Sequence, residues 1–157
     1  MIKLKKYEEK LKEFMVKNRI SAKHISFEKS CHSVKEAADS VGANKTDFIK
    51  SLCFFDNNEK LIVAIIKGED KADESKIKEI CNVKKVNIAN PNLIKEHTGY
   101  PCGGVPPFGY NALFLIDEKV MKKSEVYAGG GSSQSLIKVS TETIKEVNDG
   151  KIADIVR

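Results

Sequence analysis

The sequence predicts a mixed α/β domain built on a curled β-sheet, and three observations carry that expectation. Helical and strand-like patterns interleave along all 157 residues without a linker, a repeat or a low-complexity block. The segments 47–56 and 61–66 read as a hairpin, which breaks the β-α-β-α alternation of a doubly wound parallel sheet. The length fits one domain, residues 1–157, with an N-terminal helix over 1–19, and suffices for a hydrophobic core without staples.

Residues 4–18 form the first amphipathic helix, because Leu4, Tyr7, Leu11, Phe14 and Met15 share one face. The lysines between them read as a solvated face. His24 to Glu28 alternates and is short enough for a strand. Ser33-Val34-Lys35-Glu36 has the capping-box pattern and opens a helix that closes near Gly42. Phe48, Ile49, Leu52, Phe54 and Phe55 surround Lys50 in the next strand. Asp56 to Glu59 is a turn. Leu61 to Ile66 is a β-branched run suited to a strand buried on both faces.

Asp73 caps a helix reaching Cys81 with Ile77 and Ile80 inward, and Val83 to Ile88 is a strand. Asn90-Pro91 is an N-cap followed by a proline at the first helical position, and that helix stops at Gly99. Ala112 to Ile116 is a strand. Tyr127 to Ser135 reads as a glycine- and serine-rich connection, followed by a strand over Leu136 to Val139. Ser140 or Thr141 starts a last helix, and Asp149-Gly150 turns into Ile152 to Val156.

Composition excludes several functions. No apolar run approaches the roughly 20 residues of a membrane span, and the charged N-terminus lacks the apolar stretch of a secretory signal. A cytoplasmic protein with no membrane partner is expected. The net charge of +5 permits a polyanionic partner. Only Arg19 and Arg157 are arginines, so dense reading of DNA base edges is not expected, while phosphate contact is. Cys31, Cys53, Cys81 and Cys102 show no paired metal-ligand spacing, so neither metal nor cofactor is expected. His24, His32 and His97 are scattered.

The loop 99–109 holds four glycines and three prolines. Glycine admits close approach and proline stiffens the path, which suits a ledge of amide donors for a carbonyl or oxyanion. A rigid connection between helix and strand explains the same composition, and the residues leave both readings open. Gly129 to Ser133 can cradle a phosphate, although it lacks the lysine and spacing of a P-loop. Lys50 is the sharpest single residue: an edge position explains it trivially, and a cleft position would let its ammonium hold a phosphate or a ribose-linked carbonyl.

Several of these residues run in an order that resembles a known family. Ser33-Val34 with Ala37-Ala38, Phe48-Ile49-Lys50-Ser51-Leu52, Gly68, Asp73, Thr98-Gly99-Tyr100 with Gly103-Gly104, Pro107 and Gly109, and Ala128-Gly129 follow one another. The pattern covers residues 20–157 and resembles the YbaK/ProX aminoacyl-tRNA deacylases, which are similar to the editing domain of bacterial prolyl-tRNA synthetases. The resemblance implies a barrel-like mixed sheet surrounded by helices. It implies hydrolysis of the ester joining a wrong amino acid to a tRNA 3′ end, with prolyl-tRNA synthetase as an associated partner.

Under that resemblance Lys50, Gly103 and Gly104 match catalytic positions. Ser51, Gly99, Tyr100, Val105, Pro106, Pro107, Ala128 and Gly129 match substrate-binding ones. Tyr127 stands where cysteine-acting members carry a serine, and Ser51 where alanine-acting members carry an asparagine, so cysteine and alanine both remain candidates for the amino acid removed. The rival expectation is a non-catalytic module that binds a nucleotide or a peptide terminus on the same scaffold.

Overall fold

A computed structural model describes residues 2–27 and 34–157. The expected Ser33 cap and the Cys31-His32 pair lie outside the described residues. The described residues form eight strands and five α-helices: α1 (Ile2–Lys17), β1 (Ala22–Ser26), α2 (Val34–Val41), β2 (Ile49–Asp56), β3 (Leu61–Lys67), α3 (Glu74–Cys81), β4 (Val86–Ile88), α4 (Pro91–Thr98), β5 (Leu113–Asp117), β6 (Glu125–Gly129), β7 (Ser135–Ser140), α5 (Thr141–Asn148) and β8 (Lys151–Ala153). The architecture is mixed α/β, as the sequence predicts.

The helix boundaries follow from their caps. Asp73 accepts from the Ser75 and Lys76 amides to start α3, Asn90 accepts from Leu93 before Pro91 to start α4, and Ser140 accepts from Thr143 to start α5. Gly99 ends α4 at φ +83°.

The strands form two sheets, ordered β1-β7-β6 and β4-β2-β3-β5-β8. In the larger one, β2 and β3 are the expected antiparallel hairpin, whereas β3–β5 and β5–β8 are parallel. A single parallel bridge, Phe48 to Tyr127, links the start of β2 to β6. The bridge joins the two sheets at one corner, and among the described residues no further pairing closes them into a barrel. β3 divides the interior: Leu61, Val63 and Ile65 enter one core, and Ile62, Ala64 and Ile66 the other. The first core is shared with α1, α4, α5 and the small sheet. The second is covered by Ile77 of α3 and by Ile155 and Val156.

Two sequence expectations change. Residues 125–129 are a strand and not the start of a long connection. Val126 and Ala128 alternate into the core, but two apolar positions before a glycine run give too short a pattern to read. Pairing with β7, with Tyr127 opposite Lys138, supplies what the pattern lacks. At the C-terminus, β8 ends at Ala153, because the buried Asp117 carboxylate takes the Ile155 amide at 3.0 Å and turns the chain away.

Candidate active site

The site begins with an uncovered stretch of strand edge. Gly68 donates its N–H to the Phe48 carbonyl, and Asp56 donates its N–H to the Lys60 carbonyl, at 2.8 and 3.1 Å. Even-numbered residues of β2 thus turn their backbone groups toward β3, and odd-numbered ones turn theirs away. On that far side β6 reaches only Phe48, and β4 begins only at Phe54. The Ala89 N–H also closes on the Cys53 carbonyl at 2.9 Å. The backbone N–H and C=O of Ser51 consequently point into a gap that no strand fills among the described residues.

A cavity of about 370 Å³ opens at this gap. Lys50, Ser51, Gly103, Val105 and Gly129 line it. These are five of the residues singled out in the sequence, and they come from β2, the 99–109 loop and the end of β6. The other candidates lie outside the lining. Tyr100 is fully buried, and burial pushes its phenol up to about 12. Pro106 and Pro107 are buried, with carbonyls held by the Tyr110 hydroxyl at 2.7 Å and the Asn148 amide at 3.0 Å. Ala128 packs into the core, and the Gly99 carbonyl accepts from Lys10.

The two adjacent glycines of the 99–109 loop differ in what their backbones do. The Gly104 amide is spent on the Pro101 carbonyl at 3.0 Å, and its own carbonyl accepts from Gly131 at 2.8 Å. Gly104 is therefore a packing glycine: a Cβ there would sit 2.5 Å from the Ser132 nitrogen. Gly103 differs. It has φ +93°, a Cβ would meet nothing within 4 Å, and no backbone partner takes its amide among the described residues. It is the loop's candidate donor toward the cavity, while Pro106 and Pro107 anchor the loop.

Lys50 is half-buried, and its side chain alternates onto the face of Leu52 and Phe54, opposite to Ser51. Desolvation draws its ammonium below the usual lysine value; the Asp70 charge opposes that shift and Lys71 adds to it. Asp70 keeps one buried carboxylate oxygen without a hydrogen bond, with Lys119 3.9 Å away. Cys53 and Cys102 also line the cavity. Burial pushes the Cys53 thiol up to about 12, which makes it a poor nucleophile near neutral pH.

Sequence reasoning offered Ser133 only within a possible phosphate cradle, and it missed Ser135 and Leu136 in the lining. The serines were visible as a glycine–serine run, but nothing local tells which loop folds over β2. The missing signal is long-range. Glu8 of α1 accepts from Ser132 and Ser26 hydroxyls at 2.8 and 2.5 Å and so seats this loop against the first helix.

The sequence profile of the aminoacyl-tRNA editing domain matches residues 28–147. The chain belongs to the aminoacyl-tRNA editing domain family. Its activity class is accordingly aminoacyl-tRNA deacylation. It is 28% identical to the uncharacterised protein YwhH of Bacillus subtilis (strain 168), over 80% of this chain and 81% of that protein. It is 27% identical to EbsC of Enterococcus faecalis (strain ATCC 700802 / V583), named as a proposed Cys-tRNA(Pro)/Cys-tRNA(Cys) deacylase, over 78% and 76%. It is 23% identical to a proline–tRNA ligase of Maridesulfovibrio salexigens (strain ATCC 14822 / DSM 2638 / NCIMB 8403 / VKM B-1763), over 68% of this chain and 18% of the ligase. A solved structure named as a proposed trans-editing enzyme for prolyl-tRNA synthetase superposes with a TM-score of 0.89 at 25% identity, covering 96% of this chain and 97% of that one. Among the described residues of the editing-domain chain, no helix is long and apolar enough to cross a membrane.

Proposed function

We propose that the chain is a trans-acting deacylase that removes cysteine or alanine from wrongly charged tRNA for proline. The observation that carries this reading is the meeting of Lys50, Ser51 and Gly103 around one cavity on an unpaired strand edge. An aminoacyl ester is already activated, so positioning and stabilisation of the developing oxyanion are sufficient chemistry. In this reading Lys50 holds the tRNA 3′ end. The Gly103 amide donates to the ester carbonyl, and the Ser51 strand edge orients the aminoacyl group. The attacking group is a held water or a group of the substrate itself, and the mechanism requires no metal or cofactor.

The apolar wall of Ile49, Ile94 and Val105 favours a small side chain. Excluding a ring by shape is easier than recognising one methylene, which is worth only roughly 1–3 kcal/mol. The names of the Enterococcus relative and of the solved trans-editing structure support a proline-system substrate, with prolyl-tRNA synthetase as partner.

The test is hydrolysis of tRNA for proline charged with proline, alanine or cysteine. Release of alanine or cysteine with the prolyl ester spared is expected. Preference for the prolyl ester would overturn the editing role, and no release from any of the three would favour the binding-module reading.

A further inference from the structure

Three lysines of the α1–α4 surface gather around aromatic rings. The Lys6 and Lys95 ammonium groups lie 5.8 and 5.6 Å from the centre of the Tyr7 ring. The Lys10 ammonium lies 4.8 Å from the Tyr100 ring centre and donates to the Gly99 carbonyl at 3.2 Å. All three lysines are exposed, and none makes an ion pair among the described residues, whereas Lys12, Lys76, Lys119, Lys123 and Lys138 each have a carboxylate.

We infer that Lys6, Lys10 and Lys95 bind backbone phosphates of the tRNA whose 3′ end enters the cavity. This rests on the deacylase reading above.

Cations gathered without ion-pair partners repel one another, and a phosphate relieves that repulsion. Lysine is suited to the task as a point charge on a flexible stem, and phosphate contact positions a polynucleotide without reading its bases. The positive field registers on Tyr7: the Lys95 hydrogen bond, followed by the Lys95, Lys6 and Lys10 charges, draws its phenol below the ordinary value against the effect of desolvation. The cluster is also fixed to the cavity wall. The Tyr7 carbonyl packs on Gly131, whose amide holds Gly104, and Lys10 holds the carbonyl of Gly99, where the 99–109 loop begins. A polynucleotide leaving the cavity across these two loops meets the cluster.

The test compares the wild type with the triple variant Lys6→Gln/Lys10→Gln/Lys95→Gln and the matching triple arginine variant. Two substrates are used: a mischarged tRNA, and the same aminoacyl ester on a short CCA oligonucleotide without a stem. The glutamine variant should raise KM for the tRNA by about tenfold, leave kcat unchanged, and flatten the dependence of log affinity on log salt by roughly 2–3. Hydrolysis of the short ester should be unchanged, and the arginine variant should restore the tRNA KM. An unchanged KM and salt slope in a folded glutamine variant would overturn the inference. So would inorganic phosphate that competes at the cluster as well as an acceptor-stem minihelix does. If the wild type hydrolyses neither substrate, the deacylase reading fails by itself. Binding of the uncharged minihelix then decides the cluster: lost affinity in the glutamine variant supports it, and equal affinity overturns it.

Discussion

Gly131 donates its N–H to the Gly104 carbonyl at 2.8 Å and so fastens the two glycine-rich loops of the cavity wall to each other. The contact is close because neither residue carries a side chain. A Cβ on Gly104 would strike the backbone of Gly131 and Ser132, and a Cβ on Gly129 would strike the Val105 carbonyl. The wall is thus set by backbone packing, with Gly103 left at its open side.

The two glycines of the 99–109 loop should separate in a mutational test. Gly104→Ala forces backbone apart and should cost roughly 1–3 kcal/mol of stability. Gly103→Ala meets no atoms but holds φ +93°, a strain of about 1–2 kcal/mol. Under the proposed role of its amide as the donor to the ester carbonyl, Gly103→Ala should reduce turnover more than its stability loss explains. Urea unfolding midpoints read beside single-turnover rates check both statements. A Gly104→Ala protein as stable as wild type would contradict the packing role.

Glu8 should matter for stability although it lies far from Lys50 in sequence. Its side chain is 5% exposed and accepts from two hydroxyls. Glu8→Ala leaves Ser26 and Ser132 without that partner, at a cost of about 1–3 kcal/mol. Glu8→Gln retains one acceptor oxygen and should lose less. Equal unfolding midpoints for wild type and Glu8→Ala would show that the carboxylate does not seat the loop.

The pH dependence of deacylation should carry the Lys50 titration. In the proposed role the ammonium is the useful form, and desolvation places its loss at lower pH than for an ordinary lysine. The rate above background should therefore fall on the alkaline side. The Asp70 charge favours the ammonium, so Asp70→Asn should move that fall to lower pH. A pH–rate profile for both proteins, corrected for spontaneous ester hydrolysis, tests the sign. A shift to higher pH would exclude the assignment.

Tyr127→Ser should change stability more than amino-acid choice. The Tyr127 ring stacks on Phe48 at 4.9 Å, on the face of β6 opposite to the buried Val126 and Ala128, and it is absent from the cavity lining. Loss of the ring removes packing behind Phe48. The ratio of alanyl to cysteinyl hydrolysis should stay within about threefold, well under the roughly tenfold that a 1.4 kcal/mol change in discrimination would bring. A larger switch would mean that the ring reaches the aminoacyl group.

Much of this fold was legible in the sequence, because its signals are local. Asp73, Asn90-Pro91, Ser140 and Gly99 mark helix ends by their own chemistry, and the run Leu61 to Ile66 announces a strand between two cores. The residues 125–129 were not legible as a strand, since their pairing with β7 is set by tertiary contact. The site divides in the same way. Lys50 and Gly103 stand out by composition and Ser51 by the family resemblance, whereas Ser135 enters the cavity because Glu8 and Gly104 hold its loop over β2. Gly104 was conspicuous for the right composition, but only the structure tells a packing glycine from a donor.

Placement of the active site at the Lys50 cavity is tested by single-turnover hydrolysis of alanyl- and cysteinyl-tRNA for proline by wild type and Lys50→Ala at matched stability. Removing the ammonium takes away one charged contact and little core volume. The rate should fall by about 10²-fold or more, the scale of one lost stabilising donor in hydrolases, with an unchanged unfolding midpoint. A folded Lys50→Ala protein that hydrolyses the esters at the wild-type rate would contradict the placement of the active site at this cavity.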